Sequence, residues 1–279
     1  MRVVIFGTNG TAARTVEKMK ENEVVAYLDN DRNKWGEYIA GVEVFGNASA
    51  IKDLEYDAVC VCSQLGEYEI KKQLLEVGVP IEKIDTQYVD TLREARNNFL
   101  WCYAKENSFD DSCAVAEGGV YRGDFSRIIS RCFPKKDLYL FDTFEGFDER
   151  DLKVEMNNDY SRQKSPYLSD TSVEIVLSKL LNRERVIVRK GYFPETTFDL
   201  EKRQYCFVNL DFDLYQPTYD GLLFFWPQMV KRSIILVHDY FNPEFQGIRQ
   251  AIKDFINELK ISPLLLPIGD DWSIAIVKE

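Results

Sequence analysis

The chain has 279 residues, 45% hydrophobic and 29% charged, an ordinary balance for a globular protein and enough for two hydrophobic cores. Its formal net charge of −11 repels phosphate backbones and anionic bilayers, so nucleic acids and membrane surfaces are disfavoured as partners. The opening MRVVIFGTNG has too short an apolar run for a secretory signal, and no segment approaches the roughly 20 apolar residues of a membrane span, which together point to the cytoplasm.

In chain order, Val3–Phe6 reads as a short buried strand, Gly7–Gly10 as a turn and Thr11–Lys20 as a helix. Val24–Leu28 is a second strand running into Asp29-Asn30-Asp31. Val42–Phe45 and Ala58–Cys62 are further strands, and Glu67–Val77 is a helix stopped by Gly78 and Pro80. Strands alternating with helices predict a parallel sheet covered on both faces. Residues 90–107 have few turn formers and an apolar stripe of Leu92, Phe99 and Cys102, which predicts a connecting helix.

A second series follows. Cys113–Ala116 is a strand, Gly118-Gly119 a turn, and a helix runs through Phe133; Leu138–Phe141 is the next strand, ending at Asp142. Residues 148–168 are polar and aperiodic and read as a loop or lid. Thr171-Ser172-Val173-Glu174 has the form of a capping box opening a helix to about Leu181. Val186–Val188, Cys206–Leu210 and Ile234–Val237 are strands, Gly247–Leu259 is a helix, and Leu264–Pro267 with Ser273–Val277 make a final hairpin. The fold class is therefore α/β with two Rossmann-like units: a small N-terminal parallel-sheet domain over 1–89, a connecting helix over 90–110, and a second sheet domain over 111–279. The six cysteines show no C-x-x-C pair and read as small buried hydrophobes in a reducing compartment; with a single histidine, a zinc site is not expected.

Four features carry chemistry. Glu117-Gly118-Gly119-Val120-Tyr121-Arg122-Gly123 leads from strand to helix, so its backbone can approach a ligand at the helix N-terminus; an ordinary strand-to-helix turn would look the same. Asp142 stands where Rossmann-like folds place an acid against ribose hydroxyls, and a helix cap would stand there equally well. Together the two favour a nucleoside-containing cofactor. Asp211 and Asp213 follow one apolar strand, and His238 with Asp239 follow another. Carboxylates converging at the carboxyl edge of a sheet suit a hard divalent cation such as magnesium, against the alternative of helix caps or arginine partners.

The segments EGGVYRGDFS, DTFEGF, SDTSVE, RKGYFPET, LDFDLYQPTYDGL and HDYFNPEFQGIRQAIKDF, in this order over residues of about 112–279, resemble the macrocin O-methyltransferase (TylF-type) family of class I S-adenosylmethionine-dependent methyltransferases. The resemblance implies a class I methyltransferase sheet and magnesium-assisted methylation of a hydroxyl on a sugar or glycosylated metabolite. It implies that Glu117, Gly119 and Gly123 line the methionine end of the cofactor and Asp142 binds its ribose, with Thr143 and Phe144 continuing that motif and Gly118, Tyr121 and Ser126 also at the cofactor. Asp211, His238 and Asp239 become the metal ligands. His238 stands where the family often has an acid, which brings a softer ligand to the site. In-line transfer to an alcohol needs a base, and Asp213 and His238 are equal candidates. Tyr192 and Tyr215 are candidates for contact with the acceptor, although aromatic packing explains both, Tyr215 especially.

In the first domain, Gly7-Thr8-Asn9-Gly10-Thr11-Ala12 is a weakened dinucleotide fingerprint with Asp29 at the end of the next strand. The region resembles the N-terminal Rossmann-like domain of sugar O-acyltransferases. Gly7, Gly10 and Asp29 would border a nucleotide or nucleotide-sugar cleft, but Asn9 puts a side chain where a pyrophosphate must approach, so a structural or oligomerising domain is the simpler reading. The alternatives to methyl transfer are an NAD(P)- or nucleotide-sugar-dependent oxidoreductase or epimerase on this first domain, and a non-catalytic ligand-binding protein. Partners are a small molecule of saccharide or nucleotide-sugar type, with a homo-oligomer compatible.

Overall fold

A computed structural model describes residues 1–19, 21–63, 66–163, 167–200 and 202–279. Lys20, the expected end of the first helix, and residues 164–166 of the expected loop lie outside the described residues. The chain divides into two compact units, Met1–Glu94 and Ala95–Glu279.

The first unit contains β1 (Arg2–Phe6), α1 (Gly10–Lys18), β2 (Glu23–Leu28), β3 (Tyr38–Ile39), β4 (Val42–Gly46), β5 (Ala58–Val61), α2 (Glu67–Glu76) and β6 (Ile84–Asp85). Its sheet runs β3-β4-β2-β1-β5-β6, parallel except for the β3–β4 pair. Successive side chains of a strand point to opposite faces, and both faces of β1 are covered. Val4 and Phe6 pack with Leu28, Ile70 and Leu74, while Val3 and Ile5 pack with Ala12, Tyr27 and Cys60.

α3 (Gln87–Glu106) begins in the first unit and ends in the second. The stripe expected on it, with Phe99 and Cys102, needs correction: Cys102 is exposed and Phe99 only partly buried. The buried positions are Val89, Leu92, Leu100 and Tyr103, a helical spacing into which Arg96 falls.

The second unit adds β7 (Ala114–Gly118), α4 (Asp124–Cys132), β8 (Leu138–Asp142), α5 (Glu149–Asn158), α6 (Val173–Lys179), β9 (Val186–Lys190), β10 (Tyr205–Leu210), α7 (Tyr215–Phe225), β11 (Met229–Val237), α8 (Gln246–Leu259), β12 (Leu264–Pro267) and β13 (Ile274–Val277). The sheet order is β12-β13-β11-β10-β7-β8-β9, parallel except for β13, which pairs antiparallel with β11 and β12. This is the expected mixed α/β architecture with a terminal hairpin. The chain leaves β7 towards β8 and β9 and returns on the other side through β10 and β11. That reversal opens a crevice at the carboxyl ends of β7 and β10.

Two local expectations fail for physical reasons, and one helix is not anticipated. Residues 149–158, expected as loop or lid, form α5, capped by Asp148, whose side chain accepts from the Arg150 amide. Its buried face carries Leu152 together with two carboxylates, Asp151 and Glu155, so hydropathy hides the helical period. The helix after the SDTSVE segment is capped by Ser172, which accepts from the Ile175 amide, while the Thr171 hydroxyl turns to the Tyr121 carbonyl. α7 carries aromatics on several sides, and no stripe announces it.

Candidate active site

The turn after β7 is forced close to the neighbouring strand. β7 and β10 pair with Gly118 opposite Leu210, and the Asp211 amide donates to the Gly118 carbonyl at 2.8 Å. Gly119 has φ +77°, and a Cβ there would collide with the Asp211 carbonyl. Gly118 lies equally close to the Phe212 ring, and Gly123 sits just before α4 at φ +74° against Val176. The two loops therefore form one compact rim. Glu117 faces inward instead: it is 1% exposed, takes a hydrogen bond from the Ser126 hydroxyl and another from the Asn209 amide at 3.2 Å. Burial pushes its carboxyl up to about 8 against the opposing pull of Ser126.

Asp142, at the end of β8, organises the rim. One oxygen accepts from the amides of Val120 (2.7 Å) and Tyr121 (2.9 Å), the other from Phe144 (2.6 Å). Burial raises its pKa and the amides oppose that shift. A carboxylate has about four lone-pair positions, so three amides leave room for a ligand hydroxyl. The Thr143 hydroxyl closes the following turn on the Gly146 carbonyl at 2.6 Å, and Phe144 is buried in the core.

A cleft of about 590 Å³, counting the space open to solvent, lies over the ends of β7, β8, β9 and β10. Gly119, Tyr121, Asp142, Thr143, Asp151, Tyr192, Phe193 and Asp211–Leu214 are among its walls. The Tyr192 hydroxyl donates to Asp151 at 2.9 Å, and the Arg150 guanidinium lies 3.5 Å from the Tyr192 ring centre. Burial lifts Asp151 to about 7, the Tyr192 bond opposing. Tyr215 is placed elsewhere: its ring stacks with Tyr219 and its hydroxyl donates to Asp254 at 3.0 Å.

At the β10 and β11 ends, Asp211, Asp213, His238 and Asp239 offer ligand atoms that all lie within 4.8 Å of one another. Asp213 (φ +62°) and Asp239 (φ +56°) adopt the left-handed conformation, which turns their carboxylates into the group. His238 Nδ1 is 2.8 Å from Asp239 Oδ2 and 3.0 Å from Asp211 Oδ1. Asp239 Oδ1 accepts from Asn242 at 2.6 Å. Two residues that sequence reasoning passed over complete the cluster: Arg96 Nη2 donates to Asp211 Oδ2 at 3.0 Å and to Asn209 Oδ1 at 2.9 Å. The signal for Arg96 is a charge standing on the apolar stripe of α3.

Burial works against both charged acids and the imidazole here, and the partners outweigh it. His238 and Arg96 hold Asp211 well below the usual carboxylate range, and Asp211 with Asp239 hold His238 well above the usual histidine range. Asp213 is the exception: burial, then the charges of Asp239 and Asp211, drive its pKa well up. Carboxylates this close need a shared proton or a cation between them. Three carboxylates and one imidazole in this space fit one divalent cation, with oxygen as the majority donor.

In the first unit, Asp29 is committed to its own loop. It accepts from the Thr8 hydroxyl and the Asp31 amide and pairs with Lys34 at 3.3 Å. Burial raises its pKa, yet the Thr8 bond and the other partners bring it below the ordinary value. Asn9 caps α1, its side chain accepting from the Ala12 amide, and Gly7 has φ +107° beside the Cys62 carbonyl.

Residues 1–85 match the model of the C2185-like N-terminal family, and residues 93–275 match that of macrocin O-methyltransferase (TylF). The sequence matches none of the curated proteins at a significant level. Among solved structures, the chain is similar to the O-methyltransferase NovP (19% identity, 66% of this chain, 80% of that one, TM-score 0.53). It is also similar to CalS11, calicheamicin methyltransferase (16% identity, 76% of this chain, 91% of that one, TM-score 0.52). At these identities the likeness is one of fold. The family match spans well over half of the residues, including the glycine rim, Asp142 and the acidic cluster, and on that ground the chain belongs to the macrocin O-methyltransferase (TylF) family of S-adenosylmethionine-dependent methyltransferases.

Proposed function

We propose that the protein methylates a hydroxyl of a sugar or glycosylated metabolite, with a divalent cation, magnesium by preference, at Asp211, His238 and Asp239. The observation that supports this most directly is the meeting of two features in the lining of one cleft: the amide-held Asp142 beside the glycine rim, and Asp211 with Asp213. Asp142 is placed to take ribose hydroxyls, and the rim of residues 118–123 to hold the methionine end. When bound, S-adenosylmethionine supplies a methyl group on a sulfonium, and the cation lowers the pKa of the acceptor hydroxyl.

The chain's own part is to hold the hydroxyl in line and to take its proton. Of the two candidate bases, Asp213 lines the cleft, whereas His238 Nδ1 is engaged by Asp211 and Asp239; because burial and Asp239 keep Asp213 protonated, it would serve as the base once a cation at the cluster had displaced that proton. Tyr192 and Asp151 offer a hydroxyl and a carboxyl on the wall to a polyol acceptor. A nucleotide role for the first unit is the weaker reading, because the Asn9 side chain caps α1 where a pyrophosphate would have to approach. Six free cysteines, and no helix long and apolar enough to cross a membrane among the described residues, fit our reading of a cytoplasmic enzyme.

Calorimetry with S-adenosylhomocysteine tests the reading. Wild-type chain is expected to bind saturably and Asp142→Ala to lose binding by at least about tenfold, the worth of one or two strong hydrogen bonds. No binding by the wild type at micromolar protein would end it.

A further inference from the structure

Arg96 lies in the first residues of the second unit and faces its interior, with 14% of its side chain exposed. A buried guanidinium is costly unless its donors are used. Its Nη2 uses both hydrogens on chemistry, one for Asp211 Oδ2 (3.0 Å) and one for Asn209 Oδ1 (2.9 Å), and the Phe125 ring centre lies 4.0 Å from the guanidinium carbon. Nε makes no hydrogen bond. Both of these hydrogen bonds leave from one nitrogen, which ties Asp211 and Asn209 to the same atom.

What lies beyond each acceptor gives this arrangement a role. Asp211 presents its other oxygen to His238 Nδ1 at 3.0 Å, and His238 meets Asp239 at 2.8 Å. Asn209, fully buried, donates through its amide nitrogen to Glu117 at 3.2 Å, and Glu117 receives the Ser126 hydroxyl at the start of α4. The Asn209 amide can satisfy both neighbours in one orientation only, since Arg96 donates and Glu117 accepts. One unbroken path therefore runs from the rim after β7 to the acidic cluster, with Arg96 as its centre.

We propose that Arg96 is a positioning residue for methyl transfer: by bridging Asn209 and Asp211 it locks the Asp211 carboxylate in register with the loop that follows β7. The Nη2 amino group spans both oxygens from the distance at which α3 stands; a lysine ammonium has hydrogens enough for both, but on a stem one bond shorter it falls short of them. This inference rests on the methyl-transfer reading of the cleft.

The test uses the full chain and its single histidine, whose imidazole NMR signals report on Asp211 without overlap. Arg96→Gln removes the charge and Arg96→Lys keeps it. In both variants the His238 signals are expected to move and broaden, because Asp211 is released in each. His238 signals in Arg96→Lys that coincide with the wild type would overturn the proposal and leave Arg96 a mere counter-charge. Should either variant fail to fold, Asn209→Ala removes one acceptor and leaves the ion pair; the signals are expected to move there too, and unmoved signals count against the bridge. Absence of S-adenosylhomocysteine binding in the wild type would sink the functional reading instead, and the NMR comparison needs no cofactor.

Discussion

Gly119 shows how little freedom single positions of this site have. Its positive φ and its closeness to the Asp211 carbonyl mean that Gly119→Ala must displace one loop or the other. A loss of about 2–4 kcal/mol is expected by denaturant unfolding, together with loss of S-adenosylhomocysteine binding; a variant that binds normally would show the turn to be adaptable. Asp211 and Asp239 permit a test of the cation. Manganese or magnesium is expected to raise the melting temperature of the wild type and to leave that of Asp239→Asn unmoved. An equal rise in both would place the ion elsewhere.

Asp151 provides the pH dependence. Burial puts its pKa at about 7 in the fold, against about 4 in an unfolded chain. Between those values the folded state keeps a proton that the unfolded state has released, so stability falls as pH rises through that window. Asp151→Asn retains an acceptor for Tyr192 and removes the proton. The stability of this variant relative to wild type should therefore rise by about 1–3 kcal/mol from pH 5 to pH 8. A constant difference across that range would refute the assignment.

Among the elements, α5 and α3 carry the features that pattern reading misses. α5 buries Asp151 and Glu155 where apolar residues would normally announce a helix, because each carboxylate has a built partner. Glu155 accepts from the Tyr215 amide at 2.7 Å and so caps the start of α7. Glu155→Ala orphans that amide and is expected to cost about 1–2 kcal/mol in chemical denaturation; a neutral result would mean that water replaces the cap. α3 hides Arg96 in its stripe for the same reason. A buried charge looks like an exposed one in the sequence until its acceptors, 113 and 115 positions away, are known.

At the scale of the molecule, the cleft is built, among the described residues, from the second unit. Hydrogen exchange in the presence of S-adenosylhomocysteine should therefore slow in the segments around 118–123, 142–146, 191–193 and 211–214, and stay unchanged in Met1–Glu94. Protection around Gly7 or Asp29 would reopen a nucleotide role for the first unit.

The strands, the two βα series, the glycine rim and the acids at strand ends were legible in the sequence. Buried parallel strands need continuous apolar runs, and sites at their carboxyl ends need turn formers and acids directly after those runs. These are local requirements, met within a few consecutive residues, and the resemblance to the family is written in the same segments. What only the tertiary structure decided depends on distance through space. Glu117 turns inward to Ser126 and Asn209, Asp29 is consumed by its own loop, Tyr215 packs away from the cleft, and Arg96 enters the acidic cluster. In each case a polar side chain had many partners available, and packing selected among them by the cost of leaving a buried charge or donor unpaired.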